Sequence, residues 1–281
     1  MKIIFSPCPN DTFIFHAWVH GLIPEAPKLE VSYNDIDVTN SLAVSSDGPD
    51  IMKISYAALP WVQSDYALLP CGGALGRGCG PLVLTSSKLN SSKSPTALAG
   101  QRVAVPSERS TAYLLFRLWA SQQIPGGVGE IVVLPFHEIM PAVRDGVVDA
   151  GLVIHEARFT YPVYGLNLLA DLGNWWESDT NLPIPLGAII AKRSLDLSAI
   201  SGWIRESVKY AWAHPEASTE YVLSHAQELS IEVAKAHIQL YVNDFSYNLG
   251  EIGYQAIDTL LSRASAERLV PKVDLEQLLS P

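Results

Sequence analysis

Lys2–Pro7, which reads KIIFSP, and Arg102–Ser107, which reads RVAVPS, share one plan. Each predicts a short apolar strand, and polar residues then open a helix at Asn10–Thr12 in the first case and at Ser110 and Thr111 in the second. Such a repeat predicts two βα-containing lobes of similar construction. The alternative is that the two stretches look alike only because many strand–helix units do.

The repeat continues along the chain, because each predicted helix is followed by a second apolar strand. These strands are Ile51–Ser55 and Ala150–His155. Strands that alternate with helices favour an α/β fold in which helices cover the sheet faces. Helix N-termini and the carboxyl ends of strands attract anionic ligands, so the repeat predicts a ligand cleft between two lobes.

The last part of the chain predicts helices without strands of their own, at Leu197–Ala213, Glu216–His225, Ile231–Val242 and Gly250–Ala264. A helical tail must pack on an existing sheet. We therefore predict a discontinuous lobe one, residues 1–96 and 187–281, around an inserted lobe two, residues 97–186. The polar segment from Lys88 to Gly100 is expected to be one crossing between the lobes.

The composition of the 281 residues, with 48% apolar and 17% charged, is that of a globular protein. The net charge of −10 argues against nucleic acid and anionic membranes as partners. Three cysteines, an odd number, favour a reducing compartment. No secretory h-region follows Met1, and no apolar run reaches the roughly 18 residues of a membrane span. These features predict a soluble, cytoplasmic protein.

Two motifs that suggest cofactors are incomplete. The glycine spacing from Gly73 to Gly78 lacks the Lys-Ser or Lys-Thr of a phosphate loop, so a tightly turning or flexible loop is expected. His137-Glu138 and His155-Glu156 resemble the start of a zinc-protease helix, but Pro141 and Phe159 stand where the second histidine belongs. We expect no metal and no nucleotide cofactor.

His155 differs from the other histidines because it follows an apolar strand. A histidine held at a strand exit can act as a base near neutral pH, although it could equally be satisfied within the core. Glu156 or Arg158 could orient it or neutralise a substrate carboxylate. His214, His225 and His237 lie in the helical tail and are predicted to be on the surface.

Other polar residues lie at corresponding strand and helix ends. Lys53 is expensive to bury in an apolar strand unless it pairs with a carboxylate ligand, Asp50 or Asp35. Ser110 and Thr111 could cap a helix or donate to an anion at that cap.

An aromatic pair, Trp175-Trp176, follows later in the chain. It could form a lid for a planar substrate or pack in the core.

Four motifs carry a resemblance to the 1,4-dihydroxy-6-naphthoate synthase family of menaquinone biosynthesis. They are Ser6–Phe15, Lys53–Ala58, Gly72–Gly78 and Gly151–Tyr161. The resemblance covers nearly the whole chain. It implies a two-lobed fold like that of type 2 periplasmic binding proteins. It also implies a lyase without a redox cofactor, which opens cyclic de-hypoxanthine futalosine to the dihydroxynaphthoate in the futalosine pathway.

The same resemblance implies roles for individual residues. His155 aligns with the family's catalytic base, and Lys53, Ile54 and Ser55 with its substrate-binding strand. Ser110 and Thr111 align with a hydroxyl pair that is often Thr-Thr in the family, and Asn40 with a polar substrate-binding position. The resemblance further implies that the substrate is a small-molecule carboxylate.

Two other functions compete with this one. Chorismate dehydratase of the same pathway shares the fold, but the run Gly151–Tyr161 argues against it. A non-catalytic protein that binds a small acid is the alternative from another class.

Overall fold

The computed structural model describes residues 1–45, 48–86, 94–226 and 230–279. Two compact units make up the chain: Met1–Gly76 with Pro185–Pro281, and Arg77–Ile184. We call them the first and the second unit. Residues 88–93 of the predicted crossing between the lobes lie outside the described residues.

A mixed sheet forms the centre of the first unit. Its strands are β1 (Lys2–Phe5), β2 (Glu30–Tyr33), β3 (Ile51–Ser55), β4 (Tyr66–Leu68), β5 (Ala74–Gly76) and β11 (Ile184–Lys192). Their order is β2-β1-β3-β11-β4, and β5 also pairs with β11. Strand β1 is parallel to β2 and β3, whereas β11 is antiparallel to β3 and β4. The predicted loop after Gly72 therefore contains a short strand, β5.

The second unit has a five-stranded sheet of its own. Its strands are β6 (Leu82–Thr85), β7 (Arg102–Val105), β8 (Glu130–Val133), β9 (Ala150–Val153) and β10 (Asn167–Asp171), in the order β10-β6-β9-β7-β8. A boundary at residue 96 puts β6 in lobe one, but β6 pairs antiparallel with β9 and β10. Four buried residues in a row suit either sheet, so the local pattern does not identify the partner strands.

Eight helices of the first unit lie within the described residues. They are α1 (Pro9–Val19), α2 (Ile36–Val44), α7 (Leu197–Ala213), α8 (Thr219–His225), α9 (Ile231–Tyr241), α10 (Asp244–Tyr247), α11 (Gly250–Ala266) and α12 (Leu275–Leu279). Helix α7 was predicted with these bounds because its apolar residues recur at helical spacing. Ile200, Ile204 and Val208 are fully buried and share one core cluster with Phe15 of α1 and Ile189 of β11.

The second unit contains α3 (Thr111–Gln123), α4 (Phe136–Asp145), α5 (Ala157–Thr160) and α6 (Leu172–Thr180). Helix α4 packs closely on β9 because Gly151 lacks a side chain. A Cβ atom at Gly151 would lie 2.6 Å from Ile139 Cγ2 and 2.8 Å from Val143 Cγ2. Among the described residues of either unit, no helix is both long enough and apolar enough to cross a membrane.

The predicted repeat is confirmed as two β-α-β-α-β segments, β1 to β3 and β7 to β9. In each, the first strand lies between the other two and is parallel to both. A corresponding aspartate also binds the start of each first strand: Asp50 Oδ2 accepts from the Lys2 N–H at 2.8 Å, and Asp149 Oδ2 from the Arg102 N–H at 2.9 Å. The α/β fold class is therefore confirmed.

Candidate active site

The end of β3 is joined to α2 by a pair of hydrogen bonds. Asn40 Oδ1 accepts from the Ser55 N–H at 2.8 Å, and Asn40 Nδ2 donates to Ser55 Oγ at 3.0 Å. Both residues are buried. Because the Ser55 hydroxyl accepts from Asn40, it is oriented to donate its own hydrogen elsewhere. The structure thus brings together two of the predicted substrate-binding residues.

Two residues earlier in β3, Lys53 forms a buried ion pair with Asp11. The distance from Lys53 Nζ to Asp11 Oδ1 is 2.6 Å, and the side chains are 4% and 2% exposed. The expectation that Lys53 pairs with Asp50 or Asp35 is therefore wrong. Asp50 instead accepts the backbone N–H of Lys2. Ile54, between Lys53 and Ser55, is also fully buried.

Asp11 was missed as a site residue because Asn10–Thr12 was interpreted as a helix cap. Helix α1 begins earlier, at Pro9, with Cys8 in the N-cap position. Proline is favoured at the first helical position, so Pro9 was the signal that Asp11 lies inside the first turn. Burial raises the pKa of the Asp11 carboxyl, and the Lys53 ammonium opposes that rise.

The Lys53 side chain also depends on a glycine in the neighbouring strand. A Cβ atom at Gly187 of β11 would lie 2.7 Å from Lys53 Cε. Gly187 and Ser55 are register partners. The absence of a side chain at Gly187 therefore leaves the space through which Lys53 reaches Asp11.

In the second unit, Ser110 is the N-cap of α3. Its Oγ accepts from the Tyr113 N–H at 3.1 Å and donates to the Ser107 carbonyl at 2.9 Å. Ser110 and Thr111 are each 2% exposed. The cap prediction for Ser110 is confirmed, and its hydroxyl is committed to that cap.

His155 lies in a turn just after β9 and is partly exposed. Its φ of +54° is in the left-handed region, which is uncommon for a residue with a side chain. The rings of His155 and Phe136 lie edge to face, with centroids 5.5 Å apart and planes at 85°. A left-handed residue costs about 1–3 kcal/mol and persists where its surroundings hold it, often at functional sites.

Arg158, three residues after His155, is committed to another contact. Its Nη2 lies 2.7 Å from Asp171 Oδ2 and donates to the Gly80 carbonyl at 3.1 Å. Asp171 Oδ1 in turn accepts from the backbone N–H of Gly173 and caps α6. Arg158 therefore joins the turn after His155 to Gly80, at the end of the segment 72–80, which we call the glycine-rich loop. These contacts give no support to the idea that Arg158 neutralises a substrate carboxylate.

The glycine-rich loop is fixed by a second contact to α6. The backbone N–H of Gly78 donates to Glu177 Oε1 at 2.6 Å, and Arg77 Nη2 donates to the Asn181 carbonyl at 3.0 Å. Gly78 has a φ of +66°, so the prediction of a tight turn is confirmed there. Next to it, burial raises the pKa of the Cys79 thiol to about 12, which makes this cysteine a poor nucleophile.

Two expectations about aromatic and histidine side chains are resolved by burial. Trp176 is fully buried and its Nε1 donates to the Pro183 carbonyl at 3.0 Å, so it packs in the core.

His237 was predicted to be on the surface, which is wrong: it is fully buried in α9, and its Nε2 lies 3.0 Å from Asn10 Oδ1. A polar partner on α1 makes this burial tolerable, and no local pattern reveals that partner.

Comparison with known proteins places these residues in context. A family model described as menaquinone biosynthesis matches residues 1–266. A protein of Streptomyces coelicolor named 1,4-dihydroxy-6-naphtoate synthase is 61% identical over 100% of this chain and 98% of its own length. A Thermus thermophilus protein of the same name is 47% identical over 96% of this chain and 95% of its own length.

Solved structures show the same architecture. A crystal structure of an Archaeoglobus fulgidus protein superposes with a TM-score of 0.86 at 33% identity, covering 96% of this chain and 98% of that one. The periplasmic aliphatic sulphonate binding protein of Escherichia coli superposes with a TM-score of 0.70 at 15% identity, covering 100% and 92%. The predicted periplasmic-binding-protein-like fold is therefore confirmed.

Proposed function

The chain belongs to the menaquinone biosynthesis family, and from that premise we propose that it is a lyase that converts cyclic de-hypoxanthine futalosine to 1,4-dihydroxy-6-naphthoate. The resemblance predicted from the four motifs is confirmed at the level of the family. The observation that carries the proposal is the 61% identity, over the entire chain, to a protein named for this product.

His155 is the proposed general base. Neutral imidazole removes a proton from the substrate, the electrons flow into the ring system, and the sugar-derived fragment leaves as the second ring becomes aromatic. A positioned base contributes roughly 10²–10⁴-fold to such a step. The support for His155 is its strand exit, its partial exposure and the left-handed backbone that holds it beside Phe136.

The start of α3, at Ser110 and Thr111, is the proposed binding site of the substrate carboxylate. The first N–H groups of a helix have no acceptor within the helix, and the positive end of its dipole favours an anion. Because the Ser110 hydroxyl caps α3, we assign it to fixing the helix start. The backbone N–H groups of the first turn and the Thr111 hydroxyl are then assigned to the carboxylate.

Lys53, Ile54, Ser55 and Asn40 are the remaining proposed substrate-binding residues. Asn40 orients the Ser55 hydroxyl, which supports a donor role for Ser55. Lys53 is paired with Asp11, so the two charges largely cancel. In this proposal Lys53 therefore acts as a hydrogen-bond donor more than as a source of net positive charge.

The proposal is tested by incubating the purified chain with cyclic de-hypoxanthine futalosine and identifying the product by mass and absorbance. Formation of 1,4-dihydroxy-6-naphthoate supports it, and activity should survive dialysis against EDTA because the reaction is redox-neutral and the proposed base is a side chain. Chorismate is assayed in parallel. Turnover of chorismate alone, or tight binding of a compound recovered unchanged, would replace the proposal by one of its two competitors.

A further inference from the structure

Four polar side chains form one chain of hydrogen bonds inside the first unit. His237 Nε2 lies 3.0 Å from Asn10 Oδ1, Asn10 Nδ2 donates to Asp11 Oδ1 at 2.8 Å, and Lys53 Nζ donates to the same oxygen at 2.6 Å. We call this set the His237–Lys53 chain. Each of its members is at most 5% exposed, and they come from α1, β3 and α9.

The order of donors along the chain is determined by its chemistry. The Asp11 carboxylate is an acceptor, so Asn10 must turn its NH₂ group toward Asp11 and its oxygen toward His237. His237 must then carry hydrogen on Nε2. Each member therefore has a single orientation that satisfies its neighbours. A substitution at His237 is expected to alter the position of the Lys53 ammonium through Asn10 and Asp11, which lie between them.

The contrast with the second unit indicates that the His237–Lys53 chain of hydrogen bonds does more than stabilise the fold. The β1–β3 and β7–β9 registers pair Ile51 with Ile3 and Ala150 with Val103, so Lys53 corresponds to Leu152. Leu152 is fully buried at the corresponding position, so the same topology accepts an apolar side chain there. Because a buried ion pair contributes little more to stability than apolar residues of similar volume, the fold alone does not require Lys53.

We infer that His237 and Asn10 are positioning residues: they hold the Asp11 carboxylate, which holds the Lys53 ammonium where it donates to the substrate. This inference rests on the proposed function, in which the end of β3 contacts the substrate. Lys53 Nζ carries three N–H donors, of which one is directed at Asp11. The direction of the other two depends on where Asp11 holds the ammonium.

The test compares His237→Phe with His237→Gln. Phenylalanine removes the donor to Asn10, whereas the glutamine amide can restore it. We expect His237→Phe to raise KM by about tenfold, with kcat reduced much less, because substrate binding rather than proton removal is disturbed. His237→Gln should keep KM within about threefold of the unmodified chain. The acid limb of the pH profile should be the same in both variants.

His214→Gln is the matched control, because His214 belongs to the same helical tail but is exposed and outside the His237–Lys53 chain. It should leave KM unchanged. Circular dichroism and thermal unfolding establish that each variant is folded. A folded His237→Phe variant with normal KM, or a His237→Gln variant as impaired as His237→Phe, would overturn the inference.

A second readout does not depend on turnover. In ¹H–¹⁵N NMR spectra of the unmodified chain, His237 should be the Nε2–H tautomer and the Lys53 ammonium should give a protected signal. His237→Phe should shift or broaden that signal, and His214→Gln should not. If the unmodified chain does not turn over the cyclic substrate, the proposed function fails, and the Lys53 signal alone decides the positioning of the ammonium. An unchanged signal in folded His237→Phe contradicts the inference.

Discussion

The two β-α-β-α-β segments have the same topology and even the same aspartate at the start of the first strand, yet they carry different chemistry. At corresponding positions of the third strand, the first unit has Lys53 and the second has Leu152. At the strand exit, the first unit has buried Tyr56 and the second has partly exposed His155. The fold accepts either residue at both positions. The shared topology therefore does not determine which side chain stands at either position.

The helix starts differ in a similar way. In the second unit, the N-cap Ser110 uses its side chain to satisfy α3. In the first unit, the N-cap Cys8 makes no side-chain cap, and Asp11 and Asn10 in the first turn of α1 contact Lys53 and His237 respectively. One helix start thus stabilises its own helix, and the other organises a buried polar network.

The largest effect is expected from making Lys53 resemble Leu152. Lys53→Met leaves the Asp11 carboxylate buried without its cation and should lower the free energy of unfolding by about 3–5 kcal/mol, measured by urea denaturation. The double variant Lys53→Met with Asp11→Asn should recover most of that loss, because no buried charge remains and an amide oxygen can still accept from Asn10. A single variant as stable as the unmodified chain would contradict the ion pair.

The contrast between His155 and Tyr56 predicts the next effect. His155→Asn keeps a residue that tolerates the left-handed backbone but removes the base, so kcat should fall by about 10² or more with KM little changed. In the unmodified chain, kcat/KM should fall on the acid side as imidazole becomes protonated. Tyr56→Phe is the control at the corresponding position and should keep kcat. A loss confined to KM would make His155 a binding residue.

The two helix starts can be compared through Ser110. Ser110→Ala removes the acceptor for the Tyr113 N–H and should destabilise the protein by about 1 kcal/mol in thermal or urea unfolding. Ser110→Thr retains the hydroxyl and should behave nearly like the unmodified chain. Equal stability of the alanine and threonine variants would show that the cap contributes nothing.

The smallest effect is expected in the pH dependence of stability. Helix α1 contains His16, whereas α3 contains no histidine. Burial, and to a lesser degree the neighbouring His20, lowers the pKa of His16 below its ordinary 6.5. The unfolded chain therefore binds this proton more tightly, and the stability contributed by neutral His16 is lost as pH falls below 6.5. His16→Gln should give a flatter decline of unfolding free energy on acidification. An unchanged slope would assign the decline to other groups.

The sequence predicted those features that depend on neighbours along the chain. The bounds of α7, the Ser110 cap and the repeat follow from periodicity and from local hydrogen-bonding preferences. The partner of Lys53 did not follow, because Asp11, Asp35 and Asp50 are equally plausible until α1 is placed against β3. The burial of His237 depends in the same way on Asn10, a residue 227 positions away.

The close approach of two glycines, Gly80 and Gly173, limits the substitutions that this part of the chain can accept. A Cβ atom at Gly173 would lie 2.7 Å from the backbone nitrogen of Gly80, so saturation libraries at either position should return glycine almost alone. Gly78 lies in open space but has a φ of +66°, which asparagine tolerates best among the larger residues. Arg77 accepts other residues more easily, because its side chain is about half exposed, but its replacement removes the hydrogen bond to the Asn181 carbonyl.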